Sequence, residues 1–393
     1  MNKRQDGRTP TVTRARTDSS SASPVSAKTL VPYVDLAGQN KPLRGALLSA
    51  VERVLDHGRF ILGPEVEQLE AAWARRCGTR HAVSVGSGTD ALFLVLKALG
   101  IGDGDEVITA PNSFVASASA VVHAGARPCF ADVGDDFNLN PDAVRRCITD
   151  RTRAIIPVHL TGRPAAMDRI NDIAASRSIA VIEDAAQAMG AMCGGRPVGG
   201  LARAACFSLH PLKTAGACGD AGMITTDDND LADRLRRLRN HGFARRQEDC
   251  NEWGYNTRMD TLQAALALVK LDHLDEWTSR RRAHAALYRE RLAGLVRIPD
   301  DRPEDCAVYH TFPVEADRRD ELTEHLHYRG IGCAVHYRVP IHLLPAARSL
   351  GYKPGDLPMA ERQADRIVSL PIHEGLTEQQ LDRVCDAVRS FYE

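Results

Sequence analysis

The chain has 393 residues, and its 50 Lys and Arg residues nearly balance its 51 Asp and Glu residues, which leaves a net charge of −1. Hydrophobic residues make up 44% and charged residues 26%, as in globular proteins, so collagen-like and wholly disordered chains are excluded. The balanced charge provides no overall field to attract nucleic acid or an anionic membrane, and we expect neither as a partner. The length allows two or three domains, or one large domain with a smaller one.

The ten cysteines are scattered along the chain. They form no CxxC pair and no Cys/His cluster at zinc spacing, so we predict no metal site and reduced thiols in a cytoplasmic protein. No apolar run approaches the roughly 20 residues that a membrane-spanning helix requires.

Residues 1–29 differ from the rest in composition. The segment is rich in Ser and Thr, carries six basic and two acidic residues, and lacks the apolar stretch of a secretory signal. We therefore predict a disordered tail, with the folded sequence beginning at residue 30.

From residue 80 to about residue 226, short apolar runs rich in Val and Ile alternate with helical patterns. Such runs, without strict polar and apolar alternation, are typical of strands buried on both faces of a parallel sheet. The predicted strands cover residues 81–85, 106–109, 154–159, 179–182, 204–208 and 223–225. Alternation of strands with helices predicts βαβ units and a mainly parallel sheet.

After residue 227 the pattern changes to long charged helices, followed by short strands mixed with helices. The predicted elements here are helices at 228–245, 259–292, 319–329 and 378–392 and strands at 311–314 and 333–336. This mixture is typical of a smaller α+β domain. We predict a large domain over residues 30–285 and a small C-terminal domain over residues 286–393.

The turn after the first predicted strand combines small and hydroxylated residues, Gly86-Ser87-Gly88-Thr89-Asp90, and leads into a helix. Small residues let the backbone approach a ligand closely, and a helix N-terminus offers free N–H groups to a phosphate. Ordinary helix capping by Ser87 explains the same pattern equally well.

Two further polar residues follow predicted strands, where ligands bind in open α/β sheets. Asp184 could bind a metal, orient a histidine, pair with a cationic ring nitrogen, or cap the next helix. Lys213 precedes a Gly-rich loop; if buried, its amine would become a nucleophile, whereas a snorkelling lysine is the alternative. An amine, an acid and a phosphate cradle together match the needs of pyridoxal phosphate.

Several motifs extend this match along the chain. They are Gly63-Pro64-Glu65-Val66, Ser87-Gly88-Thr89-Asp90-Ala91-Leu92, Glu183-Asp184-Ala185-Ala186-Gln187-Ala188, Gly219-Asp220-Ala221-Gly222, Gly254-Tyr255-Asn256-Thr257-Arg258-Met259 and Ser369-Leu370-Pro371. From about residue 31 to residue 392 the sequence resembles the DegT/DnrJ/EryC1/StrS family of pyridoxal-phosphate-dependent sugar aminotransferases. The resemblance implies the α/β type I fold of these transferases, with a mainly parallel seven-stranded-type sheet in the large domain.

The resemblance also implies roles for individual residues. Lys213 matches the lysine that bonds to the cofactor, and Asp184 matches the acid on its ring nitrogen. The other matched positions are Gly88, Thr89, Asp90 and Ser208 at the phosphate, Phe114 stacked on the ring, Gln187 near the ring hydroxyl, and Asn256 at the phosphate of the neighbouring subunit. The active unit is thus expected to be a homodimer with composite active sites.

The expected reaction is transfer of an amino group, with L-glutamate as the implied donor, to a keto sugar, chiefly a nucleotide-linked 3- or 4-keto-6-deoxyhexose. The resemblance suggests His336, Tyr337 and His342 as substrate contacts, with packing between domains as the alternative. A cyclitol ketone is the main alternative substrate, and a non-catalytic regulator is a weaker alternative. A dehydratase of the same family would carry histidine in place of Lys213.

Overall fold

The computed structural model describes residues 30–244 and 247–393, so the tail predicted for residues 1–29 lies outside the described part. The α-helices are α1 Leu36–Asn40, α2 Arg44–His57, α3 Pro64–Cys77, α4 Gly88–Ala98, α5 Ala116–Ala124, α6 Pro141–Cys147, α7 Met167–Ala175, α8 Asn229–Leu238, α9 Thr261–Leu271, α10 Leu274–Arg291, α11 Arg319–Tyr328, α12 Pro358–Arg366 and α13 Glu378–Tyr392. The strands are β1 His81–Val85, β2 Glu106–Thr109, β3 Arg127–Phe130, β4 Thr152–Ile156, β5 Ala180–Asp184, β6 Met192–Cys193, β7 Arg196–Pro197, β8 Ala204–Ser208, β9 Gly222–Thr226, β10 Phe312–Glu315 and β11 Ile367–Leu370.

A seven-stranded sheet forms the centre of the fold, with strand order β1-β9-β8-β5-β4-β2-β3. Strand β9 runs antiparallel to both β1 and β8, whereas the other neighbouring strands are parallel. Hydrophobic clusters on the two faces bury nearly every strand residue, which explains the continuous apolar runs in the sequence. The predicted mainly parallel α/β fold is confirmed.

Strand β3 is absent from the predicted set. It lies at the edge of the sheet and pairs only with β2. Its sequence, Arg127-Pro128-Cys129-Phe130, contains a proline and an exposed arginine, so it does not look like a buried strand. An edge position tolerates such residues because one side of the strand needs no ladder bonds.

Three predicted elements differ from the structure. The helix predicted over 259–292 is two helices, because α9 ends at Leu271 and α10 begins at Leu274. Helix α8 ends at Leu238 rather than residue 245. Residues 333–336 make a single bridge, from Ala334 to Ser369, instead of a strand. Charged residues continue the helical pattern past the end of α8 and between α9 and α10, so the pattern alone does not reveal these two helix ends.

A second, smaller core lies around the antiparallel pair β10 and β11 and includes residues of α10, α11 and α13. Val31, from the start of the described chain, is fully buried in this core and pairs with Ile331. The N-terminal segment therefore packs on the C-terminal part of the chain. The boundaries predicted at 30–285 and 286–393 remain a proposal.

No helix among the described residues is both long and apolar enough to cross a membrane.

Candidate functional site

The carboxyl ends of β1, β5 and β8 lie along one edge of the sheet, since these three strands share a direction. The turn after β1 touches the end of β8: a Cβ atom on Gly88 would lie 2.7 Å from Cβ of Ser208. Asp184 ends β5 and pairs in register with Cys206 of β8. The topology thus brings three separately predicted features together.

The first turn of α4 is suited to bind an anion and is also capped. The Asp90 amide donates to Oγ of Ser87 at 3.0 Å, so the capping interpretation of Ser87 is correct. There is no room for a side chain at position 88, because Ser208 lies directly against Gly88. Capping and a narrow pocket for a small anion beside Gly88, Thr89 and Ser208 are therefore compatible.

Asp184 is a buried carboxyl group held by hydrogen bonds. Its Oδ2 accepts from the Ser117 hydroxyl at 2.7 Å, and its Oδ1 accepts from the Ala186 amide at 3.2 Å. Burial raises the pKa of Asp184, and Ser117, the Ala186 amide, Lys213 and His159 partly oppose the increase. A positively charged group placed beside this carboxylate would offset its loss of hydration.

Lys213 lies in the loop after β8 and is partly buried. Its amide donates to the carbonyl of His210 at 2.8 Å, and its own carbonyl accepts from the Gly216 amide at 3.0 Å, so the loop is a series of tight turns. Burial lowers the pKa of the Lys213 amine, and the charge of Asp184 partly opposes that effect. Snorkelling would leave the amine in solvent with its ordinary pKa, so the structure favours the nucleophile interpretation.

A cleft with an internal volume of about 60 Å³ opens to solvent beside Lys213. Its walls come from the N-terminal segment, the loop after β8, helix α10 and the C-terminal part of the chain. The residues used below that line it are Tyr33, Lys213, Arg281, His310, His336 and Glu374. Lys213 therefore lies at a cleft where several distant parts of the chain meet.

Two other predicted cofactor residues lie near this edge of the sheet. Gln187 is buried, and its Oε1 accepts from the Thr161 amide at 2.6 Å. Phe114 is 54% exposed, and its ring centroid lies 6.0 Å from that of Tyr337. An exposed aromatic ring at the mouth of a site is available to stack on a planar ligand.

Asn256 is exposed in the described chain. The next residue, Thr257, accepts from the Gly86 amide through its carbonyl at 2.9 Å. The segment that carries Asn256 thus packs beside the turn after β1, while its side chain is free to contact another molecule.

The three suggested substrate residues do not lie together in the structure. His336 and Tyr337 lie near Lys213 and Asp184, whereas His342 is fully buried elsewhere. Its Nε2 lies 3.1 Å from Oε1 of Glu361, and its ring packs near Phe130. His342 is not among the residues that line the cleft, so its position matches the packing alternative.

The sequence analysis missed His310 and the ion pair between Arg281 and Glu374. His310 lines the cleft and Arg281 Nη2 lies 2.8 Å from Oε2 of Glu374, but these residues come from three distant parts of the chain. No local pattern distinguishes them, because a lone histidine before a strand and an arginine in a charged helix are common.

The histidine and tyrosine side chains near Lys213 are held neutral, in contrast to the ion pair between Arg281 and Glu374. Burial, together with the nearby Lys213 and Arg281, lowers the pKa of His310 well below its usual value. Burial and Lys213 lower the pKa of His336 to about 4, and burial and Asp184 raise the pKa of Tyr337 to about 12. At neutral pH the cleft therefore offers imidazole and phenol groups as hydrogen-bonding partners.

These residues fit pyridoxal phosphate. Lys213 provides an amine of lowered pKa, Asp184 provides a buried carboxyl group that a protonated ring nitrogen would stabilise, and the N-terminus of α4 at Gly88, beside Ser208, offers backbone amides suited to a phosphate. Each requirement is met by a residue that the fold brings to the same edge of the sheet.

Comparison with known proteins agrees with this geometry. The profile of the DegT/DnrJ/EryC1/StrS aminotransferase family matches residues 43–389. The dTDP-3-amino-3,4,6-trideoxy-alpha-D-glucose transaminase of Streptomyces venezuelae is 46% identical over 366 residues, which cover 92% of this chain and 96% of that protein.

Solved structures support the same assignment. The crystal structure of DesV from S. venezuelae has a TM-score of 0.90 at 46% identity and covers 92% of this chain and 98% of its own. The structure of ntda from Bacillus subtilis, solved with bound cofactor PMP, has a TM-score of 0.86 at 31% identity. The match covers 93% of this chain and 85% of the ntda chain. The protein described here belongs to the DegT/DnrJ/EryC1/StrS family and is an aminotransferase that uses pyridoxal phosphate.

Proposed function

We propose that this aminotransferase moves the amino group of L-glutamate onto a keto group of a nucleotide-linked 6-deoxyhexose, with a dTDP-linked 3-keto sugar as the first candidate. The observation that carries the proposal is the 46% identity, over 92% of the chain, to a transaminase whose name specifies a dTDP-linked 3-amino deoxyhexose. Because the identity extends over nearly the whole of both chains, we expect the residues around the substrate to be largely shared.

Each predicted site residue takes one role in this proposal. Lys213 would hold the cofactor through its amine, and its Nζ would move a proton at the substrate carbon that bears the amino group. Asp184 would hold the cofactor at its ring nitrogen. When bound, pyridoxal phosphate supplies a ring that withdraws electrons from that carbon. The remaining contacts are Gly88, Thr89, Asp90 and Ser208 to the phosphate, Phe114 to the ring face and Gln187 to the ring hydroxyl.

The amino group would leave L-glutamate, which becomes 2-oxoglutarate, and would then join the keto carbon of the sugar. The neutral His336 and the Tyr337 phenol would contact these substrates, since both lie near Lys213 and Asp184. His342 is left out of the proposal because Glu361 already binds its ring in a buried position.

We also propose that the active unit is a homodimer in which Asn256 reaches the phosphate site of the partner subunit. Phe60 and Ile61 are about 45% exposed, and Ile61 pairs with Asp260, close in sequence to Asn256. Leu212, next to the proposed cofactor lysine, is also half exposed. Apolar side chains exposed at the edge of a site are typical of an interface between subunits.

The test is a half-reaction screen. L-Glutamate should convert the bound cofactor to its amine form, and a dTDP-linked 3-keto-6-deoxyhexose should then restore the original absorbance. Matched 4-keto sugars and UDP- and GDP-linked analogues would establish the carbon and the nucleotide. If none of these sugars reacts while the protein is loaded with cofactor, the proposal fails.

The main alternative is a cyclitol ketone as the acceptor. The motif Gly219-Asp220-Ala221-Gly222 favours the nucleotide sugar modestly, since it resembles the Gly-Asp-Gly-Gly form associated with nucleotide-sugar enzymes. Reaction with scyllo-inosose in the same screen, and with no nucleotide-linked ketose, would establish the alternative. A purely regulatory protein would react with neither class.

A further inference from the structure

The motif Ser369-Leu370-Pro371 has no role in the function proposed above, yet its serine occupies a rigid position beside the cleft. Ser369 lies in β11 and is fully buried. Its amide donates to the carbonyl of Ala334 at 2.7 Å, and its carbonyl accepts from the Ala334 amide at 3.2 Å, while Pro313 of β10 pairs with it on the other side. The two bonds to Ala334, together with the strand pairing opposite Pro313, fix the backbone at Ser369 and therefore the place from which its side chain projects.

The hydroxyl group of Ser369 meets the ring of His336. Nδ1 of His336 lies 3.1 Å from Oγ of Ser369. The ring is also enclosed by aromatic neighbours, since its centroid lies 5.9 Å from that of Tyr33 and 5.4 Å from that of Tyr337. His336 itself lines the cleft that contains Lys213.

A neutral imidazole carries its proton on either Nδ1 or Nε2. A partner that occupies one of these nitrogens leaves the other available to a ligand. Because burial and Lys213 lower the pKa of His336 to about 4, the ring is neutral at physiological pH. A fixed hydroxyl group at Nδ1 therefore holds the orientation of the ring, and it can do so as donor or as acceptor.

We propose that Ser369 is a positioning residue that holds Nδ1 of His336, so that Nε2 is the ring nitrogen presented to a substrate beside Lys213. The identity of that substrate rests on the function proposed above, whereas the role of Ser369 toward His336 does not. A specific contact of this kind accounts for a polar residue in the centre of an apolar strand, Ile367-Val368-Ser369-Leu370.

The first test reads the histidine ring directly. ¹⁵N-histidine NMR spectra of the protein with its cofactor should show one tautomer for His336, with the signal assigned by its loss in His336→Gln. Ser369→Ala should shift that signal, because Nδ1 loses its hydrogen-bond partner, and Ser369→Thr, which keeps the hydroxyl group, should restore it. Unchanged His336 shifts in Ser369→Ala would overturn the proposal.

The second test is a double-mutant cycle on kcat/KM for the keto sugar. Loss of one neutral hydrogen bond predicts a decrease of about three- to tenfold in Ser369→Ala. In the His336→Gln background the same change should cause a much smaller decrease, because the proposed effect of Ser369 passes through His336 and only its contact with Tyr33 is left to lose. An equal decrease in both backgrounds would mean a general packing role and would contradict the proposal. If the unmodified enzyme accepts no keto sugar, the proposed function fails, and the NMR result still decides the role of Ser369.

Discussion

Lys213 and Asp184 alter each other's protonation, although 29 positions separate them in the chain. Burial lowers the pKa of the amine and raises that of the carboxyl group, while the attraction between their charges opposes both shifts. A lysine in this position has more of its amine uncharged at neutral pH than an exposed lysine, and an uncharged amine is the form that attacks an aldehyde.

This argument predicts where the cofactor is attached. Borohydride reduction of the loaded protein should fix the cofactor to Lys213, and mass spectrometry of the peptides should locate it there. Lys213→Ala should lower the rate of the L-glutamate half-reaction by at least about 100-fold, the lower range for loss of a positioned acid–base group. Lys353→Ala, which changes an exposed lysine, is the matched control. An adduct on any other lysine would disprove the assignment.

Sequence predicts the site at this scale where a residue directly follows a strand. Asp184 and Lys213 are predicted for that reason, whereas Ser208 is predicted only by the family resemblance. His310, Arg281 and Glu374 are not predicted, because their neighbours are defined only by the way the C-terminal part of the chain folds back on the sheet.

At the scale of elements, the start of α4 packs directly against the end of β8, at the place where we propose that the cofactor phosphate binds. Gly88 lies so close to Ser208 that any side chain at this position must displace a strand residue. The strands themselves were predicted well because both faces are buried, whereas edge strand β3 and the break between α9 and α10 have no comparable signal.

We therefore expect Gly88→Ala to weaken binding of the cofactor and to lower the melting temperature. Its Cβ atom would lie 2.7 Å from that of Ser208, a distance that requires the chain to move. The control is Gly45→Ala in α2, where a Cβ atom meets nothing within 4 Å and which should stabilise the helix by about 0.5–1 kcal/mol. A higher melting temperature in Gly88→Ala/Ser208→Gly than in Gly88→Ala, both measured without cofactor, would identify the clash as the cause, and normal cofactor affinity in Gly88→Ala would refute the prediction.

An ion pair links three other elements around the cleft. Arg281 of α10 binds Glu374, and Glu374 accepts from Nε2 of Gln39 in α1 at 2.7 Å. Burial raises the pKa of Glu374, but Arg281 and the hydrogen bonds outweigh it, so the pKa lies below the usual value. A carboxyl group with a depressed pKa stabilises the fold above its unfolded pKa of about 4.3, and this contribution is lost as the pH falls.

Glu374→Gln should lower the free energy of unfolding by about 3–5 kcal/mol at pH 7, because it leaves the buried Arg281 charge without a partner. The difference from the unmodified protein should begin to shrink below the unfolded pKa of about 4.3 and should continue to shrink as the pH falls through the lower folded pKa of Glu374. Urea denaturation at pH 7 and at a series of pH values below about 4 measures this, with exposed Glu324→Gln as the control. A loss that stays constant down to the lowest pH at which the protein folds would show that charge is not responsible.

At the scale of the whole molecule, the exposed Asn256 and the apolar residues beside it predict that one chain completes the site of another. Mixing two inactive variants, Lys213→Ala and Asn256→Ala, should therefore restore part of the activity. Each mixed dimer would contain one site with both lysine and asparagine intact. Size-exclusion chromatography with light scattering should detect the dimer before and after mixing. Full activity in an isolated monomer would rule out the composite site.

The position of Val31 has a consequence for synthesis of the chain. Its pairing partner, Ile331, follows 300 residues later, and the core that buries Val31 includes residues up to Val388. During synthesis on the ribosome, the N-terminal segment therefore cannot form its final contacts until nearly the whole protein has emerged. Because this segment also supplies Tyr33 to the wall of the cleft, the site is completed last. Chains released early would contain the seven-stranded sheet and Lys213 but would lack an enclosed cleft.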